Sequence, residues 1–390
     1  MRKECPICKS NTKKHLKTIK FAVPEYFHLP DQYDVVVCDC CGFCYAATEA
    51  SIEDYDHYYS QCNFYSGVPN EHKWQIEENE KVFELAKAVS NKNGLLLDIG
   101  FGKGNLMRIL RKGGFSRVCG LDPSKTSVEI MREEGFEVYE GSVFGETVAE
   151  LKEKCNCVFL IDVLEHLLDP CLAIENILKY MKTGGTLIVS VPNYAALCDT
   201  DLYSTYPIIP DQFNQEHINY FSSVSLDNLL KAYGLCRISS EQAQRLEMTD
   251  GPELLIAYRY KKSVKESKEE RKDNFCSKVL VDYFEKNDML EQVINRKVTP
   301  FVDAGEPVYV WGTGSYAMWL LANTRMNALK IEAFIDNNPT KVGKMLYGKR
   351  IISVEELKQD VPILICAMKY SADIENQIKL ANLSNIFLVI

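Results

Sequence analysis

The sequence predicts an α/β protein with three parts. These are a small cysteine-bounded module, a central doubly wound sheet and a second βαβ-type sheet near the C-terminal end. Three observations carry this. An apolar run, Leu95–Ile99, leads into Gly100-Phe101-Gly102-Lys103-Gly104 and a helix start at Asn105. A second, Pro307–Trp311, leads into Gly312-Thr313-Gly314 and another helix start. Two CxxC knuckles, Cys5/Cys8 and Cys38/Cys41, stand before residue 45.

Bulk properties narrow the classes. A chain of 390 residues is too long for one ordinary core. Its net charge of -9 argues against a non-specific nucleic-acid binder, which needs a basic footprint. No apolar stretch is long enough to span a bilayer, so no membrane role is expected. The start, Met1-Arg2-Lys3-Glu4-Cys5, lacks the apolar segment of a signal peptide. Fifteen cysteines without such a signal suggest a cytoplasmic protein with thiols free or on metal. Self-association stays open.

The knuckles come first. Cys5, Cys8, Cys38 and Cys41 can place four thiolates tetrahedrally, the usual pattern of a structural zinc site. A hairpin through Tyr33–Val37 fills the gap between them, and Cys40 and Cys44 are spare. The alternative is a set of reduced cysteines around a small core. Tyr55 to Trp74 is dense in aromatics; within it Tyr65 and His72 are substrate-site candidates, though such density more often marks core.

The central sheet follows. Ile76–Val89 has the spacing of an amphipathic helix. Leu95–Ile99 is a buried strand carrying Asp98. Gly100, Gly102 and Gly104 let the backbone turn and approach a ligand, with Phe101 between them. Val118–Leu121 is the next strand and ends at Asp122, whose carboxylate can accept two ribose hydroxyls; Pro123 equally suits a helix start, making Asp122 a cap. A third strand, Phe136–Glu140, runs towards Ser142 and Val143. A fourth, Cys157–Ile161, ends at Asp162-Val163-Leu164-Glu165-His166. A helix (Cys171–Met181), a Gly184-Gly185 turn and a strand Thr186–Val191 lead to Pro192-Asn193. Ligands bind at the carboxyl ends of strands in such sheets, so Asp162, Val163 and Asn193 face the cavity. Glu165 and His166 read as an acid–base pair or as structural support for the turn. Residues 194–222 lack a period and suit a lid. Strands near Arg237–Ser239 and Leu254–Tyr258 close the sheet.

The strand–GxGxG–helix with Asp98 and Asp122, the DVLEH segment and the VPN strand end resemble class I S-adenosylmethionine-dependent methyltransferases. With the cysteine knuckles and the second glycine loop, the whole chain resembles the three-domain, zinc-containing sugar C-methyltransferases of deoxysugar biosynthesis. That resemblance implies S-adenosylmethionine as cofactor, held by Asp98, Gly100, Phe101, Gly102, Gly104, Asp122, Pro123, Ser142, Val143, Asp162, Val163 and His166. It implies a structural Zn2+ and a nucleotide-linked sugar as substrate. It also implies His217 as the base, in the Glu216-His217 pair. The tyrosine that serves the family as acid, three residues before the histidine, is Asn214 here. An amide can hydrogen-bond an oxyanion but cannot protonate it. Hydroxyl activation by His217, for O-methylation of a sugar or of another phosphorylated metabolite, is the alternative.

Residues 261–297 predict a long helix or helix pair. Beyond it Pro307–Trp311, Ile331–Ile335, Pro362–Cys366 and Asn385–Val389 are strands, and Val354–Leu357 a helix. The family implies a Rossmann-like nucleotide-sugar domain here, with Gly312, Gly314 and Asp336 as substrate contacts. The segments expected are thus 1–70 (zinc module and aromatic linker), 71–262 (cofactor domain with lid 194–222) and 263–390 (helical bridge and second Rossmann-like domain). Two other classes remain: an RNA-binding protein gripping through its zinc knuckles, and an NAD-binding regulator through Gly312-Thr313-Gly314.

Overall fold

The computed structural model describes residues 2–24, 27–61, 73–198, 212–238, 245–248, 251–262, 271–367, 370–380 and 384–390. Tyr65, His72 and residues 199–211 of the expected lid therefore lie outside the described residues. The chain divides into two compact units. One holds residues 1–16, 34–205 and 216–281; the other holds 17–33, 206–215 and 282–390.

After β1 (Lys13–Lys20), β2 (Gln32–Cys38) and β3 (Cys44–Ala47) form the knuckle hairpin. Asp34–Val37 pair antiparallel with Cys44–Ala47. The turn needs Gly42: its φ is +78°, and a Cβ there would lie 2.0 Å from the carbonyl oxygen of Asp273. Two helices follow, α1 (Ile52–Gln61) and α2 (Lys73–Val89).

The central sheet then builds in chain order. Its members are β4 (Leu95–Ile99), β5 (Arg117–Asp122), β6 (Glu137–Glu140), β7 (Cys155–Ile161) and β8 (Met181–Pro192). The short β9 (Asn219–Tyr220) pairs with β3 instead. β10 (Leu235–Arg237), β11 (Arg245–Met248) and β12 (Gly251–Tyr260) complete the sheet. Its order is β10-β12-β8-β7-β4-β5-β6, with β11 on β12. β4 to β8 run parallel, and β12 is antiparallel to β8.

β4 is apolar apart from the buried Asp98 because both of its faces are covered. Leu96 packs with Val82, Leu85 and Ala86 of α2 and with Leu106 and Leu110 of α3 (Asn105–Lys112). Leu95, Leu97 and Ile99 face the other layer. There they meet the core that holds Ile174 and Ile177 of α5 (Pro170–Leu178) and Leu226 and Leu230 of α6 (Ser223–Lys231). α4 (Lys125–Glu133) connects β5 to β6. Its N-cap is Ser124, whose hydroxyl accepts from the Ser127 amide, so Pro123 lies before the helix. The expected helix to Met181 stops at Leu178. Met181 instead opens β8 by pairing with Cys155; the register then shifts so that Thr186 meets Cys157, with Gly184-Gly185 in the irregular stretch between.

Of the long helix or helix pair expected, the structure has one long helix from Cys276 to Ala304, α7, with Pro300 within it. In the second unit β13 (Val308–Trp311), β14 (Ile331–Ile335), β16 (Lys349–Ile352), β17 (Ile363–Ile365) and β18 (Phe387–Val389) form a parallel sheet; β15 (Met345–Leu346) pairs antiparallel with β16. Its order is β15-β16-β14-β13-β17-β18. Helices α8 (Ser315–Asn323) and α9 (Ser371–Leu380) connect its strands. The expected helix at Val354 is one turn, Val354–Glu356, closed by a capping box of Ser353 and Glu356. Among the described residues, no helix is long and apolar enough to cross a membrane.

Candidate active site at the carboxyl ends of β4, β5 and β7

The strand order reverses at β4, with β5 on one side and β7 on the other, so a crevice opens at their carboxyl ends. The glycine loop sits there. Gly100, Gly102 and Gly104 have φ of +74°, +52° and +72°, a region open to glycine at no steric cost. A Cβ on Gly100 would lie 2.7 Å from a Val163 methyl, and one on Gly104 2.2 Å from the Met131 sulfur. The loop is thus held close to both β7 and α4. Phe101 is buried among Met107, Val128, Met131, Phe136 and Val138. Only its backbone stays with the loop.

Asp122 ties the two crossovers together. One carboxylate oxygen accepts from the Gly102 amide and the other from the Ser124 amide, both at 2.8 Å. Burial pushes its carboxyl up to about 6. Burial, and then the charge of Asp122, push that of Asp98 up to about 7. Each Asp122 oxygen retains a second lone pair, so the pair of ribose hydroxyls still has an acceptor. Ser142 donates to Asp56 of α1 at 2.9 Å, and its hydroxyl accepts from the Phe144 amide. Val143 is buried and its carbonyl accepts from Asn176.

Beyond β7 the polar side chains crowd. Asp162 takes a left-handed φ of +53°, strained for a non-glycine residue and a mark of functional sites. Burial first, then the charges of Glu78 and Glu165, raise its carboxyl well above the carboxylate range. Glu78 of α2 accepts from Ser190 at 2.7 Å, and burial raises it too. Glu253 of β12 is raised by burial and by the charges of Asp162, Glu78 and Glu165. Glu165 is 1% exposed, and burial brings it to about 8.

The two histidines meet at this point. The rings of His166 and His217 lie edge to face at 4.9 Å. His166 Nδ1 lies 3.1 Å from the Glu216 carbonyl and 3.0 Å from the Tyr59 hydroxyl. A carbonyl only accepts, so Nδ1 carries the proton and Nε2 keeps its lone pair. Nε2 lies 3.7 Å from a Glu165 oxygen. Burial lowers His166 to about 4, which keeps it neutral. His217 Nδ1 is 3.2 Å from the Tyr194 hydroxyl, and Glu216 accepts from Tyr58 at 2.6 Å. Asn193 is buried with its side-chain oxygen unpartnered among the described residues.

Sequence reasoning placed Asp162, Glu165, His166, Asn193, Glu216 and His217 in this region. It missed Glu78 and Glu253, and it passed over Tyr58 and Tyr59 for Tyr65. The signal for the tyrosines was present: Tyr55, Tyr58 and Tyr59 share one face of α1 at helical spacing. Asn214 belongs to the second unit, where its backbone carbonyl accepts from Tyr33 at 2.9 Å.

Residues 72–239 match the family described as methyltransferase domain, and residues 305–386 match one described as C2185-like, N-terminal. Residues 72–239 form a class I S-adenosylmethionine-dependent methyltransferase domain. The curated relatives include a ubiquinone biosynthesis O-methyltransferase of Chelativorans sp., 33% identical over 25% of this chain and 40% of its own. One of Aliivibrio fischeri bearing the same name is 32% identical over 28% of this chain and 50% of its own. The chain thus spans 40 to 50% of the length of these two relatives. Among solved structures, magnesium protoporphyrin IX methyltransferase of Synechocystis is 15% identical, over 53% of this chain and 97% of its own, with a TM-score of 0.40.

The methyltransferase domain is not the only cysteine or glycine site. Sγ of Cys5 lies 3.6 Å from that of Cys41, and Sγ of Cys8 lies 3.5 Å from that of Cys38. All four sulfurs lie within 4.8 Å of one another. Tetrahedral zinc with bonds of about 2.3 Å needs sulfurs about 3.8 Å apart, so the donor set fits that ion. In the second unit Gly312 has φ +117°, and a Cβ there would lie 2.7 Å from the Cys366 carbonyl oxygen. Gly314 caps α8. The Asp336 carboxylate is taken up by the loop itself: Thr313 donates to it, as do the Asn338 amide at 2.8 Å and Lys341 at 3.2 Å.

Proposed function

We propose that this chain transfers the methyl group of S-adenosylmethionine to an oxygen or carbon of a small acceptor, a nucleotide-linked sugar or related carbohydrate metabolite. The observation that carries it is the gathering of His166, His217 and Glu216 beside the carboxyl end of β7, next to the glycine loop. A methyl transfer needs its nucleophile in line with the sulfonium methyl, in a site closed to water. His217 takes the acceptor's proton as the new bond to carbon forms; the carbon–sulfur bond breaks and its electron pair stays on sulfur. Tyr194 holds the imidazole. Glu216, fixed by Tyr58, orients a hydroxyl. Cys5, Cys8, Cys38 and Cys41 hold a structural Zn2+, and Gly312, Gly314 and Asp336 line a surface for the nucleotide.

Asn214 favours transfer to oxygen. An amide cannot fill the acid role of the family's tyrosine, and O-methylation needs only a base. The names of the curated relatives point the same way.

The test uses cofactor labelled with carbon-13 at its methyl group. The full chain is mixed with keto and non-keto nucleotide-sugars and, separately, with phenolic acceptors, and the products are read by NMR. A methyl signal on a sugar oxygen is expected. A methyl found only on phenols would overturn the sugar reading. His217→Ala should retain cofactor affinity and lose turnover by about a hundredfold or more; unchanged turnover would remove His217 from the reaction.

A further inference from the structure

Two residues outside the chemistry described so far, Arg2 and Asn219, clip the turn that carries His166 to the segment that carries His217. Asn219 is fully buried. Its side-chain nitrogen lies 3.1 Å from the Leu164 carbonyl oxygen, 3.3 Å from that of Glu165 and 2.7 Å from that of Leu167. The hydrogens of one amide are thus shared among three carbonyls of one turn. The side-chain oxygen of Asn219 accepts from Arg2 at 2.9 Å. Arg2 also donates to the Ile218 carbonyl at 3.2 Å and to the Leu168 carbonyl. The Ile218 amide in turn donates to the Glu165 carbonyl at 3.0 Å. Ile218 and Asn219 directly follow His217, and Leu164 to Leu168 bracket His166.

Arg2 belongs to the cysteine module. Its amide donates to the Thr48 carbonyl at 2.8 Å, its own carbonyl accepts from Lys13 at 2.9 Å, and its guanidinium lies 5.5 Å from the centre of the Tyr45 ring. Among the described residues its hydrogen bonds go to neutral oxygens. A cation out of water with such partners serves through its fork of donors, which spans two segments at once, more than through its charge.

We propose that Arg2 is a positioning residue: through Asn219 and the carbonyls of Ile218 and Leu168 it fixes His166 against His217, so that the cysteine module sets the geometry of the reacting site. The link to the rings is short. The Glu216 carbonyl holds the Nδ1 proton of His166, and the two rings meet edge to face. A slip of the turn against residues 216–219 breaks that bond and frees the His166 ring to take the Nε2–H tautomer that histidine prefers in water. The inference rests on the reading of His217 as the base, since a base misplaced by about 1 Å loses about a hundredfold in rate.

The full chain, labelled with nitrogen-15 in its histidines, is read by NMR at neutral pH with cofactor and no acceptor. His166 of the parent should show the Nδ1–H form. Arg2→Met should convert it to the Nε2–H form, with cofactor affinity kept as the check on folding. Arg2→Lys, the milder variant, keeps a charge but lacks the fork, and should recover little of the parent's signal. With an acceptor found by the labelled-methyl assay, Arg2→Met should lower kcat about tenfold to a hundredfold and leave KM for the cofactor unchanged. A His166 that stays Nδ1–H in both variants would overturn the inference, as would full recovery by Arg2→Lys or a loss of stability with kcat kept. Conversion of the tautomer, in a protein whose parent methylates no acceptor, would sink the acceptor reading and leave the role of Arg2 standing.

Discussion

Asp122 and Asp98 are carboxyls that the fold places out of water before any ligand arrives. Both bind a proton more tightly in the folded chain than in the unfolded one, since burial raises them from 3.8 to about 6 and about 7. Their contribution to stability is therefore full below about pH 4 and is lost as pH rises through those values. The cofactor reverses part of this. If the ribose hydroxyls donate to an ionised Asp122, as proposed, the cofactor binds the ionised form and its affinity should rise between about pH 5 and 7, then level off. Isothermal titration at several pH values reads that slope, and Asp122→Asn should flatten it while weakening binding. An affinity independent of pH in the unaltered chain would show that Asp122 does not meet the ribose.

At the scale of elements, the glycine loop is the clearest case of sequence dictating structure. Three positive-φ positions and two close approaches, to Val163 and to Met131, leave no room for a side chain. Gly104→Val should therefore cost stability by about 2 kcal/mol or more and weaken cofactor binding at least tenfold. Chemical denaturation and a cofactor titration check both; a variant as stable as the parent would mean that α4 can give way. Elements with a dense apolar signal were legible for the same kind of reason. β4 is apolar but for the buried Asp98 because helices cover both faces. α9 escaped notice because only Ile374 and Ile378 of its ten residues are buried. β11, Arg-Leu-Glu-Met, is too short at four residues for its alternation to stand out and pairs with β12. The two glycines expected as a turn form an irregularity within β8: the register with β7 jumps from Met181 to Thr186, and Gly184 takes φ +80°.

At the scale of the whole molecule, what the sequence revealed of the site was its local part. Asp98, the glycines and Asp122 lie within one strand–loop–helix–strand unit, and their roles follow from backbone constraint. The carboxylate and histidine cluster is assembled by topology: Glu78 comes from α2, Asp162 from the end of β7, His217 from beyond β8 and Glu253 from β12. No spacing along the chain records that meeting. The cysteine cluster lies between these cases, since the CxxC spacing is legible but its partners are not. The knuckle hairpin packs Cys5, Cys38 and Cys41 into the same core as Leu97, Leu160 and Ile174 of the central sheet. Gly42 closes on Asp273, whose amide donates to the Cys41 carbonyl. A Zn2+ there would stabilise more than its own turn: it would hold the edge of a core shared with the methyltransferase sheet. Removing it with a chelator, or Cys38→Ser, should lower the thermal midpoint of the first unit and weaken cofactor binding together. Metal analysis of the purified chain should give about one zinc per chain, lost in the variant. Zinc content of zero with an unchanged midpoint would reduce the four thiols to core packing.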